Sequence, residues 1–304
     1  MKVAILASAG LLPSTEDRRV DAYELDEQMQ ALKPAFDQFG LELDVLLWQT
    51  AKEKADQYDL FLPLLVWDYV EDDNPTKLIK VLKFLQSKSK VLNDVDTIIW
   101  NSNKNYLQEL QKKGAPTIES IIIPKVSEDI VNDCFDKWNT DKLVIKPLVG
   151  ANAWRQILFK KGDSFPSEDE LPPSDAIIQP FLKSVQEEGE YSFIYFSGEF
   201  SHAVKKCPKK GDYRIQSTYG GFEVTYNPTN DEIDMGKTIL QSLENPNPLY
   251  VRVDLLRGSD GNLKLIELEM IEPYLYLPYA PKSDSGLNNG ALMLGKAIQS
   301  FLKK

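Results

Sequence analysis

YVRVDLLRGSDGNLKLIELEMIEPYLYL, residues 250–277, decides how the rest of the chain is to be read. Asp260-Gly261 is a strong hairpin-turn signal, and on both sides of it the residues alternate with the period of two that a strand imposes. Folding the strands back about that dipeptide sets Asp254 opposite Glu267 and Arg252 opposite Glu269, with all four side chains on one face. Val251, Val253, Leu255, Ile266, Leu268 and Met270 take the other face, which reads as core. Two carboxylates ~4 Å apart repel by roughly 4 kcal/mol at an effective dielectric of ~20, so the charged face needs a positive partner. On its own, Arg252 opposite Glu269 reads as an ordinary cross-strand ion pair. Carboxylate oxygens converging without His or Cys suit a hard cation such as magnesium. The alternative is a solvated sheet face with its carboxylates turned apart, and a register slip of one residue would undo the pairing.

The pattern R-x-D on one strand and E-x-E on the next resembles the magnesium end of the ATP-grasp ligases, which include D-alanine:D-alanine ligase and bacterial glutathione synthetase. The resemblance implies that Asp254, Glu267 and Glu269 hold magnesium, with manganese as a substitute, on ATP. It also implies that Arg252 faces the transferring phosphate and the acid substrate. That family commonly has Asn as the last ligand. Glu269 makes the site one charge more negative, which leaves one metal ion or two open.

The whole chain sets the bounds. Its 304 residues allow one large domain or two to three small ones. A net charge of -11 with a pI near 4.8 argues against non-specific nucleic-acid binding and against an anionic membrane surface. Cys134 and Cys207 stand far apart without partners at metal spacing, so they read as reduced thiols rather than a disulfide or zinc framework. MKVAILASAGLL at the start reads as a first strand, not a signal peptide, and no apolar run approaches the ~20 residues of a membrane span. The expected location is cytoplasmic.

Upstream, strands at Lys2 to Ala7, Leu41 to Trp48 and Leu60 to Val66 alternate with helices near Ala22 to Phe39 and Thr76 to Ser87, the rhythm of a parallel α/β sheet. Ligands of such sheets sit at the carboxyl ends of strands, which points to the loop Ser8 to Arg19 and to Asp68 and Tyr69. The glycines of a dinucleotide fingerprint are missing after Ala7. Asn101 to Gly114 reads as one capped helix, either a plain surface helix or, by resemblance, the segment whose lysine, here Lys104, contacts ATP phosphate. Lys146 stands in the apolar strand Leu143 to Pro147, as an edge charge or as a phosphate ligand, since a buried lysine requires an anion.

The resemblance extends to further positions. Gly150 and Arg155 lie where the family has a glycine-rich loop over the phosphates. Gln179 and Leu182 stand where its hinge segment holds adenine, and Glu190 where a glutamate holds ribose, with Glu187 or Glu188 as alternatives. The basic run from Lys205 to Arg214, followed by Gly220-Gly221, is either a solvated loop or a phosphate-facing segment in which Lys205 and Arg214 act and Gly221 flanks the substrate. His202, the lone histidine, reads as structural. Glu232 to Leu243 and Leu287 to Leu302 read as helices.

These residues follow the family's order along essentially the whole chain. The phrases WDY, WNSNK and ELEMIEPYLYL also resemble a stand-alone bacterial branch that includes the cyclo-ligase of cycloserine biosynthesis. The implied fold class is α/β with α+β lobes: a Rossmann-like pre-ATP-grasp domain over residues 1–98, a small ATP-grasp lobe over 99–182, and a large lobe over 183–304 carrying the metal site. The implied function is ATP- and Mg-dependent ligation of a carboxylate to an amine or thiol through an acyl-phosphate intermediate, on a small molecule or peptide. A nucleotide sensor and a phosphotransferase on the same scaffold are the alternatives. Small-molecule substrates are the expected partners, with a homodimer left open and no nucleic acid or membrane.

Overall fold

A computed structural model describes residues 1–150, 153–209 and 220–303. The first sheet is parallel, in the order β2-β1-β3-β4, and is built from Lys2–Ala7 (β1), Glu42–Leu47 (β2), Leu60–Leu65 (β3) and Lys90–Val91 (β4). β3 is buried along its whole length, and β1 after its first residue, because helices lie on the sheet's faces; such strands read as unbroken apolar runs. Tyr23–Asp37 (α1) and Asn74–Gln86 (α2) supply that cover.

Val95–Asn101 (α3) is capped by Asp94, which accepts from the Thr97 backbone N-H at 2.9 Å, and Tyr106–Lys112 (α4) follows. The single helix expected over Asn101 to Gly114 is therefore two, with Lys104 in the turn between them. Asn103 favours that turn by accepting from the Asn105 N-H at 2.9 Å. Ile121–Ile123 (β5), Glu128–Trp138 (α5), Lys142–Pro147 (β6), Ile157–Lys160 (β7) and Ala176–Pro180 (β8) form a smaller antiparallel sheet, in the order β5-β8-β6-β7. Leu143 and Ile145 of β6 pack with Val131 and Phe135 of α5, which leaves Val144 and Lys146 on the opposite face.

Beyond the short helix Ser184–Glu187 (α6) comes the central sheet: Glu190–Phe196 (β9), Glu199–Cys207 (β10), Phe222–Tyr226 (β11), Tyr250–Arg257 (β12) and Leu263–Glu269 (β13). Its order is β11-β10-β9-β12-β13, antiparallel throughout. Asn230–Gln241 (α7) covers one face, packing Ile239 and Leu240 against Val251, Val253 and Leu268. Asn289–Leu302 (α8) packs on the first domain: Leu294 and Ile298 share a core with Phe36 and Leu32 of α1.

Two bulges set which side chains face the cleft. β12 and β13 pair Arg252 with Glu269 and Asp254 with Glu267, as expected, but the next pair is Leu255 with Leu265. Ile266 is thus an extra residue, and it packs with Leu256 instead of joining the core face assigned to it from the sequence. In β10 the register shifts between Phe200 and His202, so that Glu190 lies opposite Lys206.

β13 is an edge strand, yet its outward backbone groups are satisfied. The Asn101 amide donates to Leu268 O at 2.9 Å and accepts from Met270 N at 3.0 Å, while Tyr106 Oη accepts from Leu268 N at 2.9 Å. Covering the edge in this way removes a template for pairing with another chain.

Candidate active site

The exposed face of the central sheet and the inner face of the small sheet enclose a cleft of about 540 Å³. Its floor is a ladder of charges set by strand register. Lys206 on β10 faces Glu190 on β9, Ser192 faces Asp254 on β12, and Asp254 and Arg252 face Glu267 and Glu269 on β13. Lys104 enters from the turn before α4 and Lys146 from β6. Four carboxylates therefore meet four cationic side chains.

Their contacts are close. Arg252 donates to Asp254 through Nε at 3.0 Å and Nη2 at 3.0 Å, and through Nη2 also to Glu269. Ser192 donates its hydroxyl to Asp254. Lys206 pairs with Glu190 and stands 3.4 Å from Asp254. Lys104 lies 2.9 Å from Glu267 and donates to the Gly150 carbonyl at 3.0 Å. Burial acts to raise the Asp254 carboxyl, but Arg252 and Lys206 outweigh it and hold it at about 2. Burial also opposes ionisation of Glu267, which Lys104 and then Lys146 keep below the usual carboxylate range. For Glu269 burial wins over Arg252 and pushes the carboxyl up to about 7. Lys146 is lowered by burial, partly offset by Glu267.

One end of the cleft is apolar. Phe181, Val185, Leu256, Ile266 and Ile118 form a cluster with Val144 and Leu182 against it, and Gln179, 4% exposed, borders it. A flat base fits such a slot, with polar groups at its edge fixing orientation. The opposite end is acidic and aromatic: Asp21, Glu24, Glu27 and Glu272 with Tyr23, Tyr69, Tyr274 and Tyr276, and one further cation, Arg19. Burial, reinforced by Asp21, raises Glu24 to about 8, and burial with Glu269 and Glu24 raises Glu272 strongly.

The first domain matches the family model for the N-terminal domain of the D-cycloserine synthetase DcsG over residues 3–93. The chain is 25% identical over 229 residues to the cycloserine biosynthesis protein DcsG of Streptomyces lavendulae, a match covering 71% of this chain and 74% of that one. Its structure is similar to the crystal structure of D-cycloserine synthetase DcsG, with a TM-score of 0.82 and 21% identity, over 99% of this chain and 100% of the other. The chain has the ATP-grasp fold. The same fold appears in the D-alanine:D-alanine ligase of Bacillus anthracis complexed with ATP, with a TM-score of 0.65 and 16% identity, over 100% of this chain and 98% of that one. It appears again in the ATP-grasp ligase PsnB complexed with a minimal precursor, Mg and ADP, with a TM-score of 0.63 and 13% identity, over 99% and 98%.

In this ATP-grasp chain the cleft gathers Lys104, Lys146, Gly150, Gln179, Leu182, Glu190, Arg252, Asp254, Glu267, Glu269 and Tyr69 from the sequence-based candidates. Others turn away. Arg155 donates to the Leu171 carbonyl at 2.9 Å and does not line the cleft, because its backbone is left-handed and its guanidinium lies over Trp154. Asp68 is buried below the first sheet's carboxyl edge, accepting from Ser8, from Trp48 Nε1 at 2.7 Å and from Gln49 at 3.1 Å, so it fixes the fold there. Glu187 is exposed on α6, and Glu188 is tied to Arg257 at 2.8 Å; of the three glutamates only Glu190 lines the cleft. Gly221 lies at the start of β11 outside the lining, and Arg214 falls outside the described residues. His202 is structural, as expected: its ring nitrogens meet Ser201 Oγ and the Leu275 and Tyr276 carbonyls.

Lys205 is replaced by its neighbour. An unbroken hairpin about Ser197-Gly198 would set Lys205 opposite Glu190, but the bulge near Ser201 advances the register by one and brings Lys206 in. Sequence reading also missed Glu24, Glu27 and Glu223, which only tertiary packing brings to the cleft, Leu256, which shares the face of Arg252 and Asp254 on β12, and Ile266, which the β13 bulge turns inward.

The donor set fits magnesium. Asp254, Glu267 and Glu269 present hard oxygens on one sheet face, with no His or Cys in the lining. Among the described residues no three acidic, His or Cys side chains stand close enough to form a metal cage; these carboxylates are paired with Lys and Arg instead. No helix among them is long and apolar enough to cross a membrane.

Proposed function

We propose that this protein is an ATP-grasp ligase that joins a small-molecule carboxylate to an amine, or a related nucleophile, through an acyl phosphate, using ATP and magnesium. The observation that carries the proposal is the continuity of the cleft. An apolar slot for a base, a ladder of alternating charge for the phosphates and an acidic pocket line one continuous cleft.

In this reading adenine lies among Val144, Phe181, Leu182, Leu256 and Ile266, with Gln179 at its edge and Glu190 near the ribose. Lys104 and Lys146 face the phosphates, a role that explains why Lys146 tolerates burial. Asp254, Glu267 and Glu269 would hold magnesium, which when bound spreads and neutralises phosphate charge. A substrate carboxylate oxygen attacks the γ-phosphorus, an O–P bond forms, the bond to the β-phosphate oxygen breaks and ADP departs. The amine nitrogen then attacks the acyl carbon, the C–N bond forms, and inorganic phosphate leaves with its oxygen as the amine gives up a proton. Lys104, Lys146 and Arg252 stabilise the charge developing on the transferring group. The lobe over residues 99–182 closing on that over 183–304 would keep water from the acyl phosphate.

The acidic end, with Glu24, Glu27 and Glu272, suits an amine. The Streptomyces lavendulae relative is named for cycloserine biosynthesis, so amino-acid-derived acids and their ring closure are the first substrates to try. The test is hydroxylamine trapping across a panel of such acids. A ligase yields a hydroxamate and ADP, a phosphotransferase a stable phosphorylated product, and a sensor neither.

A further inference from the structure

Lys206 stands where two functions meet. Its ammonium pairs with Glu190, proposed for ribose, and lies 3.4 Å from Oδ1 of Asp254, proposed for magnesium, while its side chain is only 7% exposed. The same Asp254 oxygen accepts from Ser192 Oγ and from Arg252 Nε at 3.0 Å. A carboxylate oxygen has few lone-pair sites, so a divalent cation approaching Asp254 competes with a group already seated there. Of these neighbours Lys206 is the most easily moved. Arg252 is a planar fork fixed on two carboxylates and Ser192 is neutral, whereas a lysine is a point charge on a flexible stem.

We propose that Lys206 is the resident counterion of the metal site: it competes with the divalent cation for Asp254, leaves when the metal arrives and transfers its charge to the incoming phosphates. The proposal rests on the ATP- and magnesium-dependent reading above. Glu190 then has a second role as a positioning residue, since its pull on the ammonium decides how strongly Asp254 is occupied. Gly189 fixes that geometry: at φ +106, a Cβ there would lie 2.4 Å from the Lys206 carbonyl oxygen, so only glycine lets β10 approach Glu190 this closely.

Competition makes metal and nucleotide respond in opposite directions. In the full chain without nucleotide, Mn²⁺ binding is followed by the paramagnetic resonance of the free ion. Lys206→Met is expected to bind Mn²⁺ tighter than wild type by on the order of ten-fold, and to bind ADP in EDTA more weakly by a similar factor. Glu190→Gln, which leaves the ammonium to Asp254 alone, is expected to weaken Mn²⁺ binding in the wild-type background and to change nothing when combined with Lys206→Met. A folded Lys206→Met that binds Mn²⁺ no tighter than wild type overturns the competition. A Glu190→Gln effect of equal size with and without Lys206 makes Glu190 a ligand and overturns its positioning role. If Lys206→Met does not fold, Lys206→Gln and the single Glu190→Gln variant carry the same contrast. Wild type that binds no Mg-ATP, with the lysine effect on Mn²⁺ intact, sinks the ligase reading alone; Mg-ATP binding with no lysine effect sinks only the counterion.

Discussion

Asp254 accepts from Arg252 and Ser192 with Lys206 beside it, so Asp254→Asn keeps the shape of the site while removing the charge that all of them answer. ADP release with substrate should fall by at least roughly 10²-fold, with secondary structure retained in circular dichroism. That carboxylate was legible in the sequence because its partners lie on adjacent strands, where a turn and a period of two suffice. Glu24 and Glu27 were not, because they reach the cleft only when the first domain docks. His202 gives a separate prediction at this scale. Burial lowers its pKa from 6.5 to about 4, with the Leu275 and Tyr276 carbonyls holding the Nε2 proton. Between those values the unfolded chain binds more protons than the folded one, so stability is fully present above 6.5 and is lost as pH falls toward 4. The loss is roughly 3 kcal/mol. His202→Gln should make the acid limb of the melting temperature shallower over that range, as measured by calorimetry at a series of pH values.

At the scale of elements, the two bulges govern the site. Each inserts one residue, and each reverses which side chains face the cleft: Lys206 for Lys205 in β10, and Ile266 turned from core to slot in β13. Hydrophobic alternation gave the strands and the pairing of Arg252 with Glu269 and Asp254 with Glu267, but a bulge has no marked residue type here and stays hidden in the pattern. Gly189→Ala should drive β10 away from Glu190, lowering stability by about 1–3 kcal/mol and raising the KM for ATP more than it lowers kcat. A denaturant melt and an ATP titration of the same sample check both. The break between α3 and α4 has a similar lesson: Asn103 supplies a local hydrogen bond that outcompetes helix continuation, and Lys104 thereby sits in a turn.

Across the whole molecule, the first domain and the central sheet are joined by side chains and by core. The Asn93 amide donates to Tyr250 O at 2.9 Å and Met270 O at 2.8 Å, and accepts from Leu249 N at 2.9 Å. Asn93→Leu orphans three buried backbone groups and should cost about 3 kcal/mol or more, seen as a lower urea midpoint. The α/β rhythm of residues 1–98 was readable, but not this fastening, since a buried amide bridging distant strands leaves no periodic trace. α8 draws the same two parts together by laying Leu294 and Ile298 on α1. During synthesis α1 leaves the ribosome some two hundred and fifty residues before α8 does, with Phe36 and Leu32 meanwhile lacking part of their cover. The nascent first sheet therefore waits, with part of its apolar face uncovered, for a helix encoded far downstream.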